Sequence, residues 1–256
     1  MRAVDIRVKN VSGKIAQLTA SFKRNWKFYF QEALGLAIFM VSACYFSGIL
    51  FGKGGLFTSC MSATFRQSIL GLAMGGTALF IFYSRFTSPS GSHINPAVTL
   101  AFFRLGKIGP WDTLFYMIFQ LIGGTLAVFL MAVLMGDNLT SSPLHYVVTV
   151  PGKYGITAAA ITEFLIAFIM MATVLFTAAD RRLKKYTRIL SGILVCMNVI
   201  VAGPISGFGM NPARSFASAL PAHIWTSFWI YLLMPLTGML GAAEVYLLVW
   251  GRKVDG

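Results

Sequence analysis

Six long apolar stretches dominate the pattern of hydrophobic and polar positions along the chain. They cover about residues 28–51, 67–86, 113–135, 157–179, 189–203 and 227–250. A helix needs roughly 20 mostly apolar residues to cross the hydrocarbon core of a bilayer. Five stretches reach this length, and the stretch at 189–203 must extend into its flanks. The pattern therefore predicts an all-α membrane protein with six transmembrane helices.

Two further apolar segments, at about residues 96–105 and 212–220, are too short to cross the membrane. A helix of about ten residues covers only ~15 Å, which is half of the hydrocarbon core. Both segments begin at the same tripeptide, which is Asn95-Pro96-Ala97 in the first and Asn211-Pro212-Ala213 in the second. We expect each segment to form a half-helix that re-enters the membrane, or else a helix on its surface.

The chain consists of two similar halves. Each half contains a span, a second span, a short segment and a third span, and Glu32 and Glu163 both lie in the first span of their half. Because three is an odd number, the two halves insert with opposite orientation. Inverted repeats place a shared site near the membrane midplane, with broken helices pointing into it. We predict a basic N-terminal segment at 1–27 and one channel domain at 28–256, with inverted 3+3 repeats at about 28–136 and 157–250.

Composition agrees with a membrane protein and argues against most other classes. The chain is 57% hydrophobic and 11% charged, with a mean hydropathy of +0.73, whereas soluble domains carry about a quarter charged residues. The three cysteines lack metal-ligand spacing, and no Ser/His/Asp set or phosphate-binding loop occurs. We therefore expect no enzymatic activity, no metal site and no cofactor. The chain starts with a basic, polar stretch, so we expect no cleavable signal peptide.

The distribution of charge predicts the orientation in the membrane. The net charge is +13, with seven basic residues in the first 27 and five more between positions 181 and 188. Basic loops beside apolar spans are typical of membrane proteins and argue against nucleic-acid binding. With six spans both termini lie on one side, and that side holds 17 of the 21 lysines and arginines. We predict that both termini are cytoplasmic and that the protein sits in the plasma (inner) membrane.

The Asn-Pro-Ala tripeptides have a direct physical meaning. Asn is favoured at the N-cap of a helix and Pro at its first position, so each motif marks a helix start. Two starts that enter from opposite faces present unpaired N–H groups and roughly half a positive charge each to one lumen. Such ends repel cations, and the amides of Asn95 and Asn211 can hold the oxygen of a passing water, which interrupts a proton wire.

Over about residues 30–250 the chain resembles the aquaporin, or major intrinsic protein, family. The resemblance is carried by SGSHINPAVTL at 90–100 and SGFGMNPARSF at 206–216. It implies a homotetramer with one pore in each subunit. It also implies that Arg214, directly after the second motif, lines an outer constriction and helps to exclude cations.

The same resemblance assigns three more residues to that constriction. They are Phe208, Val199 in the fifth span, and a second-span residue that is Gly75 by ungapped counting or Leu70 by the glycine pattern. Phe208 is similar to glycerol-conducting members of the family, whereas Ser215 is similar to water channels. Whether the constriction selects for water alone is therefore open.

Three further residues are candidates for lining or supporting the pore. Carboxyl groups in apolar spans are functional candidates by default, so Glu32 and Glu163 could relay protons. The resemblance instead implies that they accept hydrogen bonds from the re-entrant loops, and their matched placement favours this support role. It also implies that His93 lines the cytoplasmic half of the pore, where it could gate with pH or simply pack.

We therefore predict a passive channel for water and other small uncharged solutes that excludes ions and protons. Its partners would be the lipid bilayer, these solutes and other copies of the chain, with no nucleic acid. A glycerol or small-solute facilitator with little preference for water is the main alternative. A secondary transporter or an occluded membrane scaffold are alternatives of a different class. The role of Glu244 in the last span is open.

Overall fold

The computed structural model describes residues 2–53 and 57–251, with residues 2–12 described by their backbone alone. That part of the chain is mostly helical and contains no β-strand. Its α-helices are α1 (Arg2–Phe51), α2 (Ala63–Tyr83), α3 (Pro96–Arg104), α4 (Pro110–Met135), α5 (Asp137–Thr140), α6 (Gly155–Ala179), α7 (Thr187–Ser206), α8 (Pro212–Ala222) and α9 (Phe228–Trp250).

The predicted six spans are confirmed. Helices α1, α2, α4, α6, α7 and α9 are long and apolar enough to cross a membrane. Helices α3 and α8 have only 9 and 11 residues, and they begin at the two Asn-Pro-Ala motifs. Helix α7 runs beyond the predicted residue 203 because its Pro204 is accommodated inside the helix, which ends at Gly207 in a left-handed conformation.

Helix α1 starts much earlier than its apolar stretch. It has 50 residues and passes the predicted segment boundary at residue 27 without a break. Lys, Ala, Gln, Leu and Arg before the membrane are good helix formers, so little in the sequence stops the helix there. Arg252 and Lys253, which contribute to the predicted charge bias, lie outside the described residues.

The helices pack as two matched sets, as the inverted repeat requires. Helix α1 packs on α4 in the first half, and α6 packs on α9 in the second. Helices α2 and α7 pack on each other across the two halves. Each half-helix also crosses over, because α3 packs on α9 and α8 packs on α4. The two half-helices are thereby held between both halves of the molecule.

Matched glycines allow the closest contacts between helices. A Cβ added to Gly123 on α4 would lie 2.2 Å from the backbone oxygen of Ala33 on α1. A Cβ added to Gly238 on α9 would lie 2.5 Å from the backbone oxygen of Phe164 on α6. Small residues at such positions let membrane helices approach each other closely. The same device therefore sets the spacing of the main helix pair in each half.

Polar contacts join the start of α4 to α1. The carboxylate of Asp112 accepts hydrogen bonds from Ser21 Oγ (2.5 Å), Asn25 Nδ2 (2.9 Å) and Tyr29 OH (2.5 Å). These three donors are spaced four residues apart along one face of α1. Helix α1 is thus fixed to α4 beyond its apolar stretch.

Candidate pore

Each half-helix is capped by the asparagine of its motif. Asn95 Oδ1 accepts a hydrogen bond from the backbone N–H of Ala97 at 2.9 Å. Asn211 Oδ1 accepts from the backbone N–H groups of Ala213 at 3.0 Å and Arg214 at 3.2 Å. The extended backbone of each asparagine and the proline that follows complete a normal N-cap. The motifs therefore form the helix starts that the sequence predicts.

The two caps are also bonded to each other. Asn95 Nδ2 donates to the backbone oxygen of Met210 at 2.9 Å, and Asn211 Nδ2 donates to the backbone oxygen of Ile94 at 2.7 Å. This reciprocal pair brings the amino ends of α3 and α8 together in the centre of the molecule. Each amide nitrogen carries two hydrogens, so one hydrogen of each remains for the cavity that both residues line.

The loops before the two half-helices follow the same unusual path. Positive φ angles recur at equivalent positions, namely Gly91, Ser92 and Ile94 in the first loop and Gly207, Phe208 and Met210 in the second. Non-glycine residues rarely adopt this left-handed conformation, and it persists only where surrounding contacts hold it.

Buried Glu32 supplies such contacts for the first loop. Its carboxylate accepts hydrogen bonds from the backbone N–H groups of His93 (3.0 Å) and Ile94 (2.5 Å) and from Ser90 Oγ (2.6 Å). A fourth donor is Gln120 Nε2 at 2.8 Å. Non-helical backbone at membrane depth needs partners of this kind.

Buried Glu163 does the same for the second loop. It accepts hydrogen bonds from the backbone N–H groups of Gly209 (2.8 Å) and Met210 (2.5 Å) and from Ser206 Oγ (2.6 Å). A tyrosine adds one more hydrogen bond to each loop. Tyr116 OH donates to the backbone oxygen of Ser90, and Tyr231 OH donates to that of Ser206. The structure thus places both carboxylates beneath the re-entrant loops.

A cavity of about 180 Å³ leads to the paired asparagines. It extends from Ser88 and Arg188 to Asn95, Asn211 and Phe208, and His93 lies in its wall. We call this space the larger cavity, because a second and smaller cavity adjoins it. The imidazole of His93 stacks on the ring of Phe102, with centroids 4.7 Å apart, and its Nδ1 lies 3.2 Å from Thr99 Oγ1.

A smaller cavity of about 60 Å³ lies on the other side of Phe208. Its wall consists of Phe39, Ala43, Ser47, Gln67, Leu70, Met74, Val199, Gly203, Gly207, Phe208 and Arg214. Phe39 and Phe208 also line the larger cavity, so these two rings stand at the boundary between the two spaces. The two cavities therefore adjoin each other at these rings.

Arg214 is the charged residue in the wall of the smaller cavity. Its side chain is buried, with 8% exposure, and its Nη1 has no hydrogen-bond partner. Among the described residues it forms no salt bridge. An unpaired guanidinium beside a narrow space makes that space strongly unfavourable for cations.

The family is decided by a match over most of the chain. The sequence profile of the major intrinsic proteins matches residues 19–246. The chain belongs to the major intrinsic protein family. It is therefore an integral membrane protein that crosses the bilayer several times, in line with its six apolar helices.

Three curated relatives are aquaporins. A probable aquaporin of NIP type from Nicotiana alata is 40% identical over 169 residues, which are 65% of this chain and 59% of that protein. Aquaporin NIP1-2 from Arabidopsis thaliana is 35% identical over 184 residues, 70% of this chain and 62% of that protein. Aquaporin TIP2-1 from Arabidopsis thaliana is 37% identical over 166 residues, 64% of each. The chain thus spans about three fifths of the length of these relatives.

A solved structure has the same fold. The X-ray structure of the aquaglyceroporin from Plasmodium falciparum matches with a TM-score of 0.74, covering 90% of this chain and 98% of that chain. The two sequences are 21% identical. This major intrinsic protein therefore has the aquaporin fold, with six spans and two half-helices.

The structure places the two second-span candidates for the constriction, Gly75 and Leu70, in different surroundings. A Cβ added to Gly75 would lie 2.7 Å from Cys196 Cβ and 2.9 Å from the backbone oxygen of Gly192, so this glycine sits in the contact between α2 and α7. Leu70 is the candidate that lines the smaller cavity, together with Val199, Phe208 and Arg214. The lining of this cavity favours Leu70, the alternative from the glycine pattern, over the ungapped count, which depends on the length of the loop before Asn95.

Sequence analysis missed several residues that line the smaller cavity or support the first loop. Phe39, Ser47 and Gln67 line the smaller cavity, and Gln120 supports Glu32. Ser47 and Gln67 carry a weak signal, because they are polar residues near the ends of apolar helices. Phe39 carries none, because a phenylalanine in a span is usually packed or faces lipid.

Glu244 has a partner that the sequence did not suggest. Arg104 at the end of α3 donates from Nε to Glu244 Oε1 at 2.5 Å and from Nη2 to Oε2 at 3.0 Å. Both side chains are about half exposed. Glu244 therefore fixes the far end of the first half-helix to α9.

Proposed function

We propose that this protein is a passive channel for water and other small uncharged solutes, and that it excludes ions and protons. The observation that carries the proposal is the pair of asparagine-capped half-helices that meet head to head beside a lumen. Their amino ends concentrate positive potential where a permeating ion would lose its hydration. The remaining amide hydrogens of Asn95 and Asn211 can bind the oxygen of water or of a neutral solute.

Arg214 adds a second barrier to cations in the smaller cavity. Its guanidinium can donate to a neutral solute, whereas the low dielectric around it raises the energy of a passing cation. The side chains of Leu70, Val199 and Phe208 make the rest of this space largely apolar. An apolar wall with one strong donor suits a solute that has both a hydrocarbon side and hydroxyl groups, which favours glycerol as a second permeant.

We also propose the setting in which the channel works. The excess of basic residues at both ends and in two of the loops supports cytoplasmic termini and a location in the plasma (inner) membrane. One pore runs through each chain, and the family resemblance supports a homotetramer. No catalytic role is assigned to any residue.

The proposal is tested with purified protein in proteoliposomes by stopped-flow light scattering. We expect shrinkage under an osmotic gradient at a rate linear in the gradient and with a low activation energy, together with a slower glycerol flux. Saturation or dependence on an ion gradient would indicate a secondary transporter. Flux equal to that of empty liposomes would indicate an occluded scaffold and would overturn the proposal.

A further inference from the structure

The smaller cavity contains a polar side chain that the channel proposal does not use. Gln67 lies near the start of α2, one helical turn from Leu70, and both side chains line the cavity. Residues three apart on a helix share a face. Gln67 therefore reaches the solute path at the same aperture as Leu70, Val199 and Arg214.

The orientation of the Gln67 amide is fixed by its partner. Gln67 Nε2 donates to the backbone oxygen of Val199 at 2.6 Å. A carbonyl oxygen only accepts hydrogen bonds, so the NH₂ group must face Val199 and the Oε1 atom must turn away from it. Among the described residues no group donates to Oε1, and this oxygen is not among the buried polar atoms that lack a partner, so it is accessible.

Gly203 provides the space in which this amide lies. A Cβ added to Gly203 on α7 would lie 2.5 Å from Gln67 Nε2. Any larger residue at position 203 would push the amide out of its place beside Val199. The amide position thus depends on both α2 and α7.

Donors stand in the same cavity wall. Arg214, which carries the guanidinium donors, and Ser47, which carries a hydroxyl group, both line the cavity. The Oε1 atom of Gln67 adds an acceptor to an aperture whose other side chains, apart from Arg214 and Ser47, are apolar. A space of about 60 Å³ holds several water-sized positions, which is enough for a solute with more than one polar group.

We propose that Gln67 is a specificity-determining residue that favours small neutral polyols. Its Oε1 accepts a hydrogen bond from one solute hydroxyl while Arg214 donates to the oxygen of another. A polyol leaves most of its hydration behind at this aperture, so it needs both partners at once. Water loses less of its hydration there, because it keeps hydrogen bonds to the water molecules before and after it in a single-file chain. This inference rests on the proposed channel function and extends it to the solute class.

The test compares glycerol and water permeability of Gln67→Met with those of the wild type in proteoliposomes. Loss of one neutral hydrogen bond is expected to lower glycerol permeability about fivefold, with water permeability changed by less than about twofold. Ser68→Ala is the matched control, because Ser68 lies on the same helix and bonds the backbone oxygen of Thr64 instead. An unchanged glycerol-to-water ratio in Gln67→Met would overturn the inference.

A second variant keeps the test decisive if Gln67→Met does not fold. Gly203→Ala keeps the glutamine at position 67 but displaces its side-chain amide from Val199. It should therefore also lower the ratio of glycerol permeability to water permeability. A wild-type protein that passes water but no glycerol would refute the inference and leave the channel proposal standing. A wild-type protein that passes neither would refute both.

Discussion

Arg214 is the residue on which the proposed exclusion of cations most directly depends. Its buried guanidinium interacts electrostatically with Glu163 but forms no salt bridge among the described residues, so no direct ion pair neutralises its charge beside the cavity. Arg214→Val should therefore raise the leak of protons and monovalent cations by about tenfold, which corresponds to ~1.4 kcal/mol of lost repulsion. The leak is measured with a pH-sensitive dye and by conductance in proteoliposomes.

The control for Arg214→Val removes a charge that does not face the cavity. Lys153 is exposed in the loop before α6, and its ammonium group lies over the ring of Tyr154. Lys153→Val should leave the leak at the wild-type level. If Arg214→Val also stays at that level while it still conducts water, the role assigned to Arg214 is wrong.

The sequence predicts the structural roles of some individual residues well and those of others poorly. Asn95 and Asn211 cap their helices because the Asn-Pro pair has a local conformational preference. Leu70 could not be separated from Gly75, because that choice depends on how many residues the intervening loop uses. Phe39 and Gln67 come to the cavity only through the packing of α1, α2 and α7, which no local pattern encodes.

The re-entrant loops depend on buried carboxylates, and Glu163 offers a direct test of this. Glu163→Gln replaces one acceptor oxygen by an NH₂ group that faces N–H donors. One or two donors, such as the backbone N–H of Met210, then lose their partner, which should lower the free energy of unfolding by about 2–3 kcal/mol. The change is measured as a lower melting temperature in detergent.

Glu244→Gln is the control for Glu163→Gln, because it makes the same substitution at an exposed position. It alters a carboxylate in an exposed pair with Arg104, and such pairs contribute only about 0–1 kcal/mol. Its melting temperature should stay close to that of the wild type. Equal losses in both variants would mean that burial of Glu163 beneath the loop has no special importance.

The close contact between α1 and α4 gives a second test at the scale of elements. Gly123→Ala places a methyl group 2.2 Å from the backbone oxygen of Ala33, so the helices must separate. Overpacking of this kind costs about 1–3 kcal/mol. Gly241→Ala is the control, because its nearest neighbour would be Phe168 at an ordinary 3.7 Å. We expect Gly123→Ala to lower the melting temperature and Gly241→Ala to leave it unchanged or higher, and the reverse order would refute this account.

Elements were predictable where hydrophobic length decides them. The six spans and both half-helices follow from the length of their apolar runs. The N-terminal extension of α1 did not follow, because its polar residues are good helix formers without an apolar pattern. Its contact with Asp112 is a tertiary feature that joins distant parts of the sequence.

For the whole molecule, the inverted repeat is what brings the two half-helices together. One half alone would hold its left-handed loop through its own buried glutamate, but it would leave the side-chain amide of its capping asparagine without a backbone acceptor. The second half supplies the carbonyl oxygen of Met210 for Asn95, and the first supplies that of Ile94 for Asn211. The odd number of spans in each half, which is readable from sequence, therefore has a direct consequence for the pore.

The proposed homotetramer is the prediction that belongs to this scale. Gly76 lies on the exposed face of α2, and open space surrounds the position of its missing Cβ. Small residues on a membrane-facing surface allow another helix to approach closely. We expect native mass spectrometry of the wild type to give four times the 28.0 kDa chain mass.

Substitution on the two membrane-facing surfaces tests where that contact lies. Gly76→Phe fills the space beside α2 and should shift the protein toward smaller assemblies. Val133→Phe adds the same bulk on α4, where Val133 is 83% exposed, and should leave the tetramer intact. Because each chain has its own cavities and its own pair of asparagine caps, dissociated subunits that stay folded should still pass water. A wild type that is monomeric, or a Val133→Phe protein that dissociates as readily as Gly76→Phe, would contradict this assignment.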